Sequence, residues 1–128
     1  MNEDFAVFVP GTMWTTNKER TMHFHQRAQL VKPLREAAEL ITLNAMRANG
    51  VGPFTVPVDV EFFPTQLKAG TLADTANHLP PCKAVLDGVV DAGLLIDDTP
   101  VFVLSQRFWP PVKDRSETGV GILITTEG

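Results

Sequence analysis

The sequence predicts an α+β domain in which two main helices pack on a small mixed β-sheet. The chain has 128 residues, which suits one domain, and 44% of them are hydrophobic, which is enough for a core. Apolar residues follow strand-like or helix-like patterns in the order strand, helix, strand, helix, strand, strand. The one cysteine, Cys82, excludes an intramolecular disulfide, so packing must hold this fold together.

The four predicted strands occupy residues 5–9, 54–63, 101–109 and 119–126. The first is a short apolar run, FAVFV, closed by a Pro-Gly turn. The second alternates, and Pro57 predicts that it lies at a sheet edge. The last two are expected to pair antiparallel through a polar loop. The alternation of the second strand places four apolar residues on one face: Val56, Val58, Val60 and Phe62.

The first predicted helix begins at Pro33, a residue that suits the first helical position, and ends at Asn49 and Gly50. Residues 12–29 show no clean period and are predicted to form a loop. The second helix is predicted over residues 81–92 and stops at Gly93. The first helix has an apolar stripe at helical spacing, formed by Leu34, Ala37, Ala38, Ile41 and Ala45.

The second helix is predicted to have an apolar face and a charged face. Lys83, Asp87 and Asp91 follow one another at i, i+4 and i+8, so they share one side. This side either lies in solvent, where Lys–Asp pairs contribute about 0.2–0.5 kcal/mol each, or lines a site. The residues expected to face the core are Cys82, Val85, Leu86 and Val89.

Charge is unevenly distributed along the chain. Residues 18–47 carry six basic and three acidic side chains, whereas residues 59–98 carry seven acidic and two basic ones. This separation indicates a basic binding surface beside an acidic site, where a divalent cation would offset part of the negative charge. The alternative is a random scatter of solvated charges. The formal net charge of −4 argues mildly against a nucleic-acid partner.

Three features predict a cytoplasmic protein. One cysteine without a partner favours a reducing compartment. The first residues, MNEDFAVFVPG, lack the basic flank and long apolar run of a signal peptide. No apolar run approaches the roughly 20 residues of a membrane span, so no membrane partner is expected.

Carboxylates flank the second predicted helix on both sides. Asp74 lies in the loop before it, and Asp97 and Asp98 lie in the loop after it. Hard cations such as Mg²⁺ take oxygen ligands, so Asp74 and Asp98 could hold one if a sheet crossover brings the loops together. Lys83 could then meet a phosphate or a leaving oxygen. The alternative is a capping role for Asp74 and a simple turn at the Asp-Asp-Thr-Pro sequence.

Residues 83–98, KAVLDGVVDAGLLIDD, resemble the core motif of the RusA family of Holliday-junction resolvases. In that family an Asp-x-Asp-Asn loop precedes a helix with a Lys-Ala-x-x-Asp pattern, and the next loop ends in Asp-Asp. The resemblance implies a RusA-like fold and a Mg²⁺-dependent nuclease, with Mn²⁺ as an alternative ion. It assigns catalytic roles to Asp74, Lys83 and Asp98, and metal binding to the two aspartates.

The first acidic loop departs from the family pattern. It reads DTAN here, with Asp74 as its one aspartate, and a longer spacing that includes two prolines separates it from Lys83. Asn77 matches the motif asparagine and could supply a carbonyl ligand, while Asp97 or Asp87 could replace the missing carboxylate. A divergent, active nuclease is the preferred interpretation. The alternative is a junction-binding protein whose catalytic activity is weakened or lost.

The resemblance extends to the basic segment after the first strand and to the closing Gly-Val-Gly-Ile strand. It implies that the basic segment tracks the phosphates of a branched DNA, a contact independent of base sequence. Cutting both strands of a four-way junction needs two sites, so a homodimer is expected, in the cytoplasm of a bacterium or of a phage-infected host. The predicted DNA-binding residues are Asn17, Lys18, Arg20, His23, Arg27 and Arg35.

Three further side chains allow two interpretations each. Trp14 could stack on a base or pack beneath the loop that follows the first strand. His78 could touch a metal ion or the scissile phosphate, although a histidine in a loop is more often solvated. Trp109 could pack at a strand end or contact a second subunit. Cys82 is expected to be a small buried hydrophobe.

Overall fold

The computed structural model describes residues 4–66, 78–113 and 117–126. It confirms the α+β class, with two main helices beside a small mixed sheet. No helix in these ranges is both long and apolar enough to cross a membrane. The elements in chain order are β1 (Asp4–Pro10), α1 (Thr16–Arg20), α2 (Phe24–Asn49), β2 (Val58–Gln66), α3 (Leu79–Asp91), β3 (Val103–Phe108), β4 (Val112–Lys113) and β5 (Gly119–Thr126).

β2 lies inside the sheet, whose strands follow the order β1–β5–β2–β3. It pairs antiparallel with β5 on one side and parallel with β3 on the other, and the two-residue β4 pairs with its last residues. The prediction that Pro57 marks an edge is wrong, because this proline precedes the strand and its missing N–H lies outside the ladder. The predicted pairing between the last two strands is also wrong, because β2 separates β3 from β5.

The core lies between the helices and one face of the sheet. Val58, Val60 and Phe62 of β2 are fully buried, as their alternation predicted. Val56 was predicted to share that face, but it precedes β2 and is 50% exposed. The buried side chains of β1 and β5 join the same hydrophobic cluster, so every long strand of the sheet except β3 contributes at least two residues to it.

The apolar face of α3 is buried as predicted. Cys82, Val85, Leu86 and Val89 all lie in the hydrophobic core. Burial raises the pKa of the Cys82 thiol to about 12. The thiol therefore stays neutral and behaves as a small hydrophobic side chain.

Residues 12–29, predicted to form a loop, contain α1 and the first turns of α2. The hydroxyl of Thr15 caps α1 by accepting a hydrogen bond from the Lys18 backbone N–H at 3.1 Å. His23 and Gln26 form a reciprocal capping box at the start of α2. Such caps stabilise a helix end through local hydrogen bonds and not through apolar side chains. A search for apolar periodicity therefore does not detect helical residues that are stabilised in this way.

The prediction that Pro33 starts the first long helix is wrong, because α2 begins at Phe24 and contains this proline. A proline inside a helix removes one backbone hydrogen bond. Here the helix is 26 residues long and packs along α3, so the remaining hydrogen bonds and contacts outweigh that loss. The helix ends as predicted, with Gly50 in the left-handed region at φ 63°.

α3 packs against α2 at Gly88. A Cβ at this position would lie 2.3 Å from the Arg35 carbonyl oxygen and 2.5 Å from the Cβ of Ala38. The missing side chain therefore lets the two backbones approach closely. This approach brings Arg35 of α2 beside the charged face of α3.

Candidate active site

The first turn of α3 offers few backbone donors. It begins Leu79-Pro80-Pro81, and proline has no N–H to donate. His78 precedes the helix without capping it; the residue is 3% exposed, and its Nδ1 has no hydrogen-bond partner among the described residues. His78 is thus buried rather than solvated, and desolvation lowers its pKa. The first turn of α3 therefore has few N–H groups for a phosphate, and the positive charge on this helix is that of Lys83.

Lys83 joins the charged face of α3 to the loop that follows the helix. Its ammonium contacts the carboxylate of Asp98 and lies 3.1 Å from Oδ1 of Asp87, one turn further along α3. Lys83 and Asp98 are 15 residues apart in the sequence. The structure therefore brings together two of the three residues that the resemblance marked as catalytic.

The loop after α3 presents both members of the Asp-Asp pair. Oδ1 of Asp97 accepts a hydrogen bond from the backbone N–H of Asp98 at 2.8 Å. The turn that the sequence allowed lies just after the pair, where the Phe102 N–H donates to the Thr99 carbonyl oxygen at 2.9 Å. The Asp97 side chain stays exposed and is tied to the backbone of Asp98, whose carboxylate meets Lys83.

Arg35 of α2 binds the other end of the charged face of α3. Its guanidinium makes a bidentate contact with Asp91, with Nε 2.6 Å from Oδ2 and Nη2 2.9 Å from Oδ1. Its Nη1 also lies 4.0 Å from Oδ2 of Asp87. Asp87 therefore stands between Arg35 and Lys83, and one connected set of charges spans α2, α3 and the following loop. The charge cluster denotes the five residues Arg35, Lys83, Asp87, Asp91 and Asp98.

These contacts favour the charged form of four members of the charge cluster. The hydrogen bonds from Arg35 lower the pKa of Asp91, and the contact with Lys83 lowers the pKa of Asp98. The hydrogen bond to Asp91 raises the pKa of Arg35. Burial acts to lower the pKa of Lys83, but the hydrogen bonds to the two aspartates outweigh it, so this pKa is raised. Lys83 is therefore a fixed positive charge.

The charge cluster is open to a ligand. The side chain of Lys83 is 54% exposed and that of Asp98 is 26% exposed. A phosphate from solvent could therefore reach the ammonium of Lys83. At the other end of the cluster, Arg35 and Asp91 line a cleft of about 410 Å³ between α2 and the end of α3.

Two predicted site residues, Asp74 and Asn77, lie outside the described residues. In the part of the chain that the structure describes, no group of three or more His, Cys, Asp or Glu side chains could hold a metal ion. The described half of the predicted ligand set is the pair Asp97 and Asp98. The carboxylate of Asp98 already holds a cation, the Lys83 ammonium, so it has the oxygen donors and the charge that Mg²⁺ uses.

Most of the predicted DNA-binding residues lie together on α1 and the start of α2. Their three cations form no ion pair within the described residues. Glu19, the acid of α1, accepts a hydrogen bond from Nε1 of Trp14 at 2.7 Å and is half-buried. Little negative charge therefore opposes the cations on this side. The basic surface denotes the five exposed residues Asn17, Lys18, Arg20, His23 and Arg27.

The two tryptophans are held by contacts within the protein. Trp14 is 2% exposed in the core, so packing beneath the loop is confirmed and stacking on a base is wrong. Trp109 donates a hydrogen bond from Nε1 to Glu61 at 2.9 Å and stacks on Phe63, with 6.0 Å between ring centroids. Arg107 covers the ring of Trp109 at 4.0 Å from its centroid. Strand-end packing of Trp109 is therefore confirmed.

Sequence reasoning placed Arg35 among the phosphate contacts and did not connect it with α3. The distance in sequence from Arg35 to Asp91 is 56 residues, and no local spacing relates one helix to another across that distance. The sequence feature that could have predicted a contact with Arg35 is the charged face of α3. Two aspartates and one lysine at i, i+4 and i+8 leave a carboxylate in excess, which favours a cation from another element.

A scan of the chain against models of protein families finds no match, and a search of curated proteins finds no significant match. The resemblance to the RusA family therefore rests on residues 83–98, on the basic segment after the first strand and on the closing Gly-Val-Gly-Ile strand. What the structure adds is the contact between the Lys83 ammonium and the Asp98 carboxylate, beside an exposed Asp97 that accepts a hydrogen bond from the Asp98 backbone.

Proposed function

We propose that this chain is a Mg²⁺-dependent, RusA-like endonuclease that cuts branched DNA at four-way junctions. The observation that supports it most is the contact of Lys83 with Asp98 inside the charge cluster. Both residues match catalytic positions of the family motif, and they meet at an accessible surface. A solvated helix face, the competing interpretation of this region, would need neither Asp98 nor Arg35 against α3.

The described residues have roles that their contacts support. The ammonium of Lys83 is positioned by two carboxylates, and a phosphate beside it would find positive charge where negative charge grows in the transition state. Asp87 gives this ammonium a second partner, so Lys83 keeps its position when Asp98 is engaged elsewhere.

The expected metal ligands are carboxylate and amide oxygens. Asp98 and Asp97 would hold Mg²⁺ from the loop after α3, and Asp74 and Asn77 would complete the set from the segment before it. When bound, Mg²⁺ supplies a more acidic water and neutralises phosphate charge. Mn²⁺ takes the same oxygen ligands and is the alternative ion.

The basic surface would bind the phosphates of the DNA. Its cations have no carboxylate partner among the described residues, so a phosphate can approach them without breaking an ion pair. Such contacts are independent of base sequence, and the shape of the branched DNA would then select the substrate. The proposed setting is the cytoplasm of a bacterium or of a phage-infected host.

The proposed active form is a homodimer, because paired incisions need paired sites. β3 and β4 lie at the edge of the described sheet, and Leu104 and Val112 on them are 55% and 61% exposed. An exposed apolar edge is suited to pairing with another chain. Sedimentation should show twice the 14.0 kDa chain mass at micromolar concentration, and Leu104→Asp should shift it to the monomer. A monomer alone, with DNA present, would contradict the dimer.

The direct test is cleavage of a four-way junction with Mg²⁺ and, separately, with EDTA. The control substrate is a linear duplex of the same sequence. We expect cuts near the branch point with Mg²⁺ or Mn²⁺ only. Cleavage that survives EDTA would exclude the metal-dependent mechanism, and equal cleavage of the duplex would exclude structure selectivity.

The second candidate is a junction-binding protein that does not cut. It is favoured by the Lys83 ammonium on Asp98, which satisfies that carboxylate without a metal ion. In this case the charge cluster serves to fix α3 against α2. The junction assay separates the two candidates, because this protein would bind the junction and leave it intact with either metal ion.

A further inference from the structure

We propose that Phe24 is a stacking platform for an unpaired nucleobase at the branch of the DNA, an inference that rests on the proposed function. Phe24 is the first residue of α2, and it is 58% exposed. A large apolar side chain in this position contributes little to the core. It is available to a ligand that offers an aromatic face.

Three aromatic rings meet at this end of α2. The centroid of the Phe24 ring lies 4.7 Å from that of His23 and 4.0 Å from that of His25, and the two imidazoles are 5.2 Å apart. His23 is tied to the helix start, because its Nδ1 accepts from the His25 N–H at 3.3 Å and its own N–H donates to Gln26. The His23 ring is therefore held in place, and the Phe24 ring packs between the two imidazoles, so stacking on its exposed side would cost little side-chain entropy.

The charges around Phe24 fit a nucleic acid rather than an apolar partner. Arg27 lies three residues further along α2 and therefore shares the face of Phe24. Lys18 and Arg20 lie on α1, which ends just before α2 begins, and no carboxylate pairs with these three cations within the described residues. A base on Phe24 would have its neighbouring phosphates beside these cations. Proteins that bind single strands combine stacking rings and a cationic track in this way.

Leu40 provides a matched control. It lies on the same helix and is 60% exposed, but it has no ring to stack. An effect shared by Phe24 and Leu40 would come from general surface hydrophobicity. An effect limited to Phe24 would come from the aromatic face.

The test compares the affinities of Phe24→Ala, Phe24→Trp and Leu40→Ala for a four-way junction and for a linear duplex of the same sequence, with EDTA present. Phe24→Ala should weaken junction binding by roughly fivefold to a hundredfold. Its duplex affinity should stay within about twofold of the wild type. Phe24→Trp should restore junction binding, and Leu40→Ala should match the wild type on both substrates. Far-UV circular dichroism should be the same for all four proteins.

A second arm removes the base instead of the ring. Abasic sites are placed one at a time at the nucleotides around the branch point. At one position the wild type and Phe24→Ala should bind with equal affinity, because the ring then has nothing to stack on. An undiminished effect of Phe24→Ala at every abasic position would overturn the proposal.

Three further outcomes would overturn it. They are unchanged junction binding by Phe24→Ala, an equal loss on the junction and the duplex, and a change of oligomeric state in sedimentation, which would make the patch a protein contact. Failure of the proposed function is seen separately, in the wild type. A wild type that binds neither the junction nor the duplex overturns both the proposed nuclease and the stacking role of Phe24. A wild type that binds the junction without cutting it overturns only the nuclease, and the affinities of the Phe24 variants then decide the stacking role.

Discussion

The basic surface and the charge cluster contain the same kinds of cation and differ in how these cations are paired. In the basic surface, Lys18, Arg20 and Arg27 are exposed and have no carboxylate partner within the described residues. In the charge cluster, Arg35 and Lys83 each approach two carboxylates. An unpaired cation can bind a phosphate directly, whereas a paired one positions the side chains beside it.

Pairing, more than charge, therefore decides what each region can do. Binding by the basic surface would release counterions from DNA and fall steeply with salt. The contacts of the charge cluster connect two packed helices over short distances, so salt would screen them less. Four predictions test this difference, from the largest expected effect to the smallest.

Loss of Lys83 or of the Asp98 carboxylate should separate cleavage from binding. We expect Lys83→Ala and Asp98→Asn to lower the single-turnover cleavage rate by about a hundredfold or more. Lys83→Ala would remove a positive charge that acts mainly on the transition state, and Asp98→Asn would remove a carboxylate ligand of the metal ion. Asp98→Asn should bind the junction as well as the wild type or more tightly, because it removes a charge that repels phosphate.

The control for the lysine is Lys32→Ala, since Lys32 is exposed and its one ion pair among the described residues, with Glu36, spans 3.9 Å. It should cut at the wild-type rate. If Asp98→Asn also cuts at that rate, Asp98 is only a turn residue. If Lys83→Ala shows nothing beyond the modest affinity loss of Arg27→Ala, the protein is a binding module.

Gly88→Ala should disrupt the contact on which the charge cluster depends. The new Cβ would clash with the backbone of α2 at Arg35, so we expect a loss of about 1–3 kcal/mol in the free energy of unfolding, measured with urea. Gly52→Ala is the control, because a Cβ there would meet no atom of the described residues within 4 Å. Equal stability of the two variants would mean that the helices can move apart without loss.

Arg35→Ala should lower stability by about 1 kcal/mol or less near neutral pH, because the pair with Asp91 is partly exposed. Arg35 lowers the pKa of Asp91 below its ordinary value of 3.8, so this stabilisation is present above that pH and is lost as the pH falls through the folded-state pKa. The difference between wild type and variant should therefore be full at neutral pH and shrink below about pH 4.

Urea unfolding at pH 7 and pH 3 measures this difference. Arg35→Lys should not restore it fully, because lysine cannot make the bidentate contact. A difference that is the same at both pH values would show that Arg35 acts through packing and not through its ion pair with Asp91.

The salt dependence of DNA binding should divide the cations by their pairing. Lys18→Ala, Arg20→Ala and Arg27→Ala should each reduce the slope of log K against log salt by about 0.9. Arg35→Ala should reduce it by much less, because its guanidinium is held by Asp91. An equal reduction for Arg35→Ala would mean that Arg35 leaves Asp91 to bind phosphate, as the resemblance to the RusA family implied.

The sequence by itself determined the local faces of the molecule. The spacing of Val58, Val60 and Phe62 predicted which side of β2 is buried, and the spacing of Lys83, Asp87 and Asp91 predicted the charged side of α3. These predictions hold because strand and helix periods are set by local backbone geometry. The predicted metal roles of Asp74 and Asn77 stay predictions.

The two prolines show where local reasoning fails. Pro57 suggested an edge strand and Pro33 a helix start, but Pro57 precedes an interior strand and Pro33 lies inside a helix. The free-energy cost of a proline depends on the hydrogen bond that its missing N–H would have made. In a strand the partner of that bond lies on another strand, so the sequence nearby does not reveal it. In a helix the loss of one bond can be outweighed by the packing of the whole helix.

Only the tertiary structure decided which cations are free and which are paired. Arg35 looks like Arg27 in the sequence, yet it lies beside Asp91, 56 residues away, because Gly88 lets α3 approach α2 at that level. A periodic pattern shows which residues share one face of a helix or strand. Which two faces contact each other depends on packing between segments that are distant in the sequence. That choice turned one arginine of a basic segment into part of the charge cluster and left Lys18, Arg20 and Arg27 exposed.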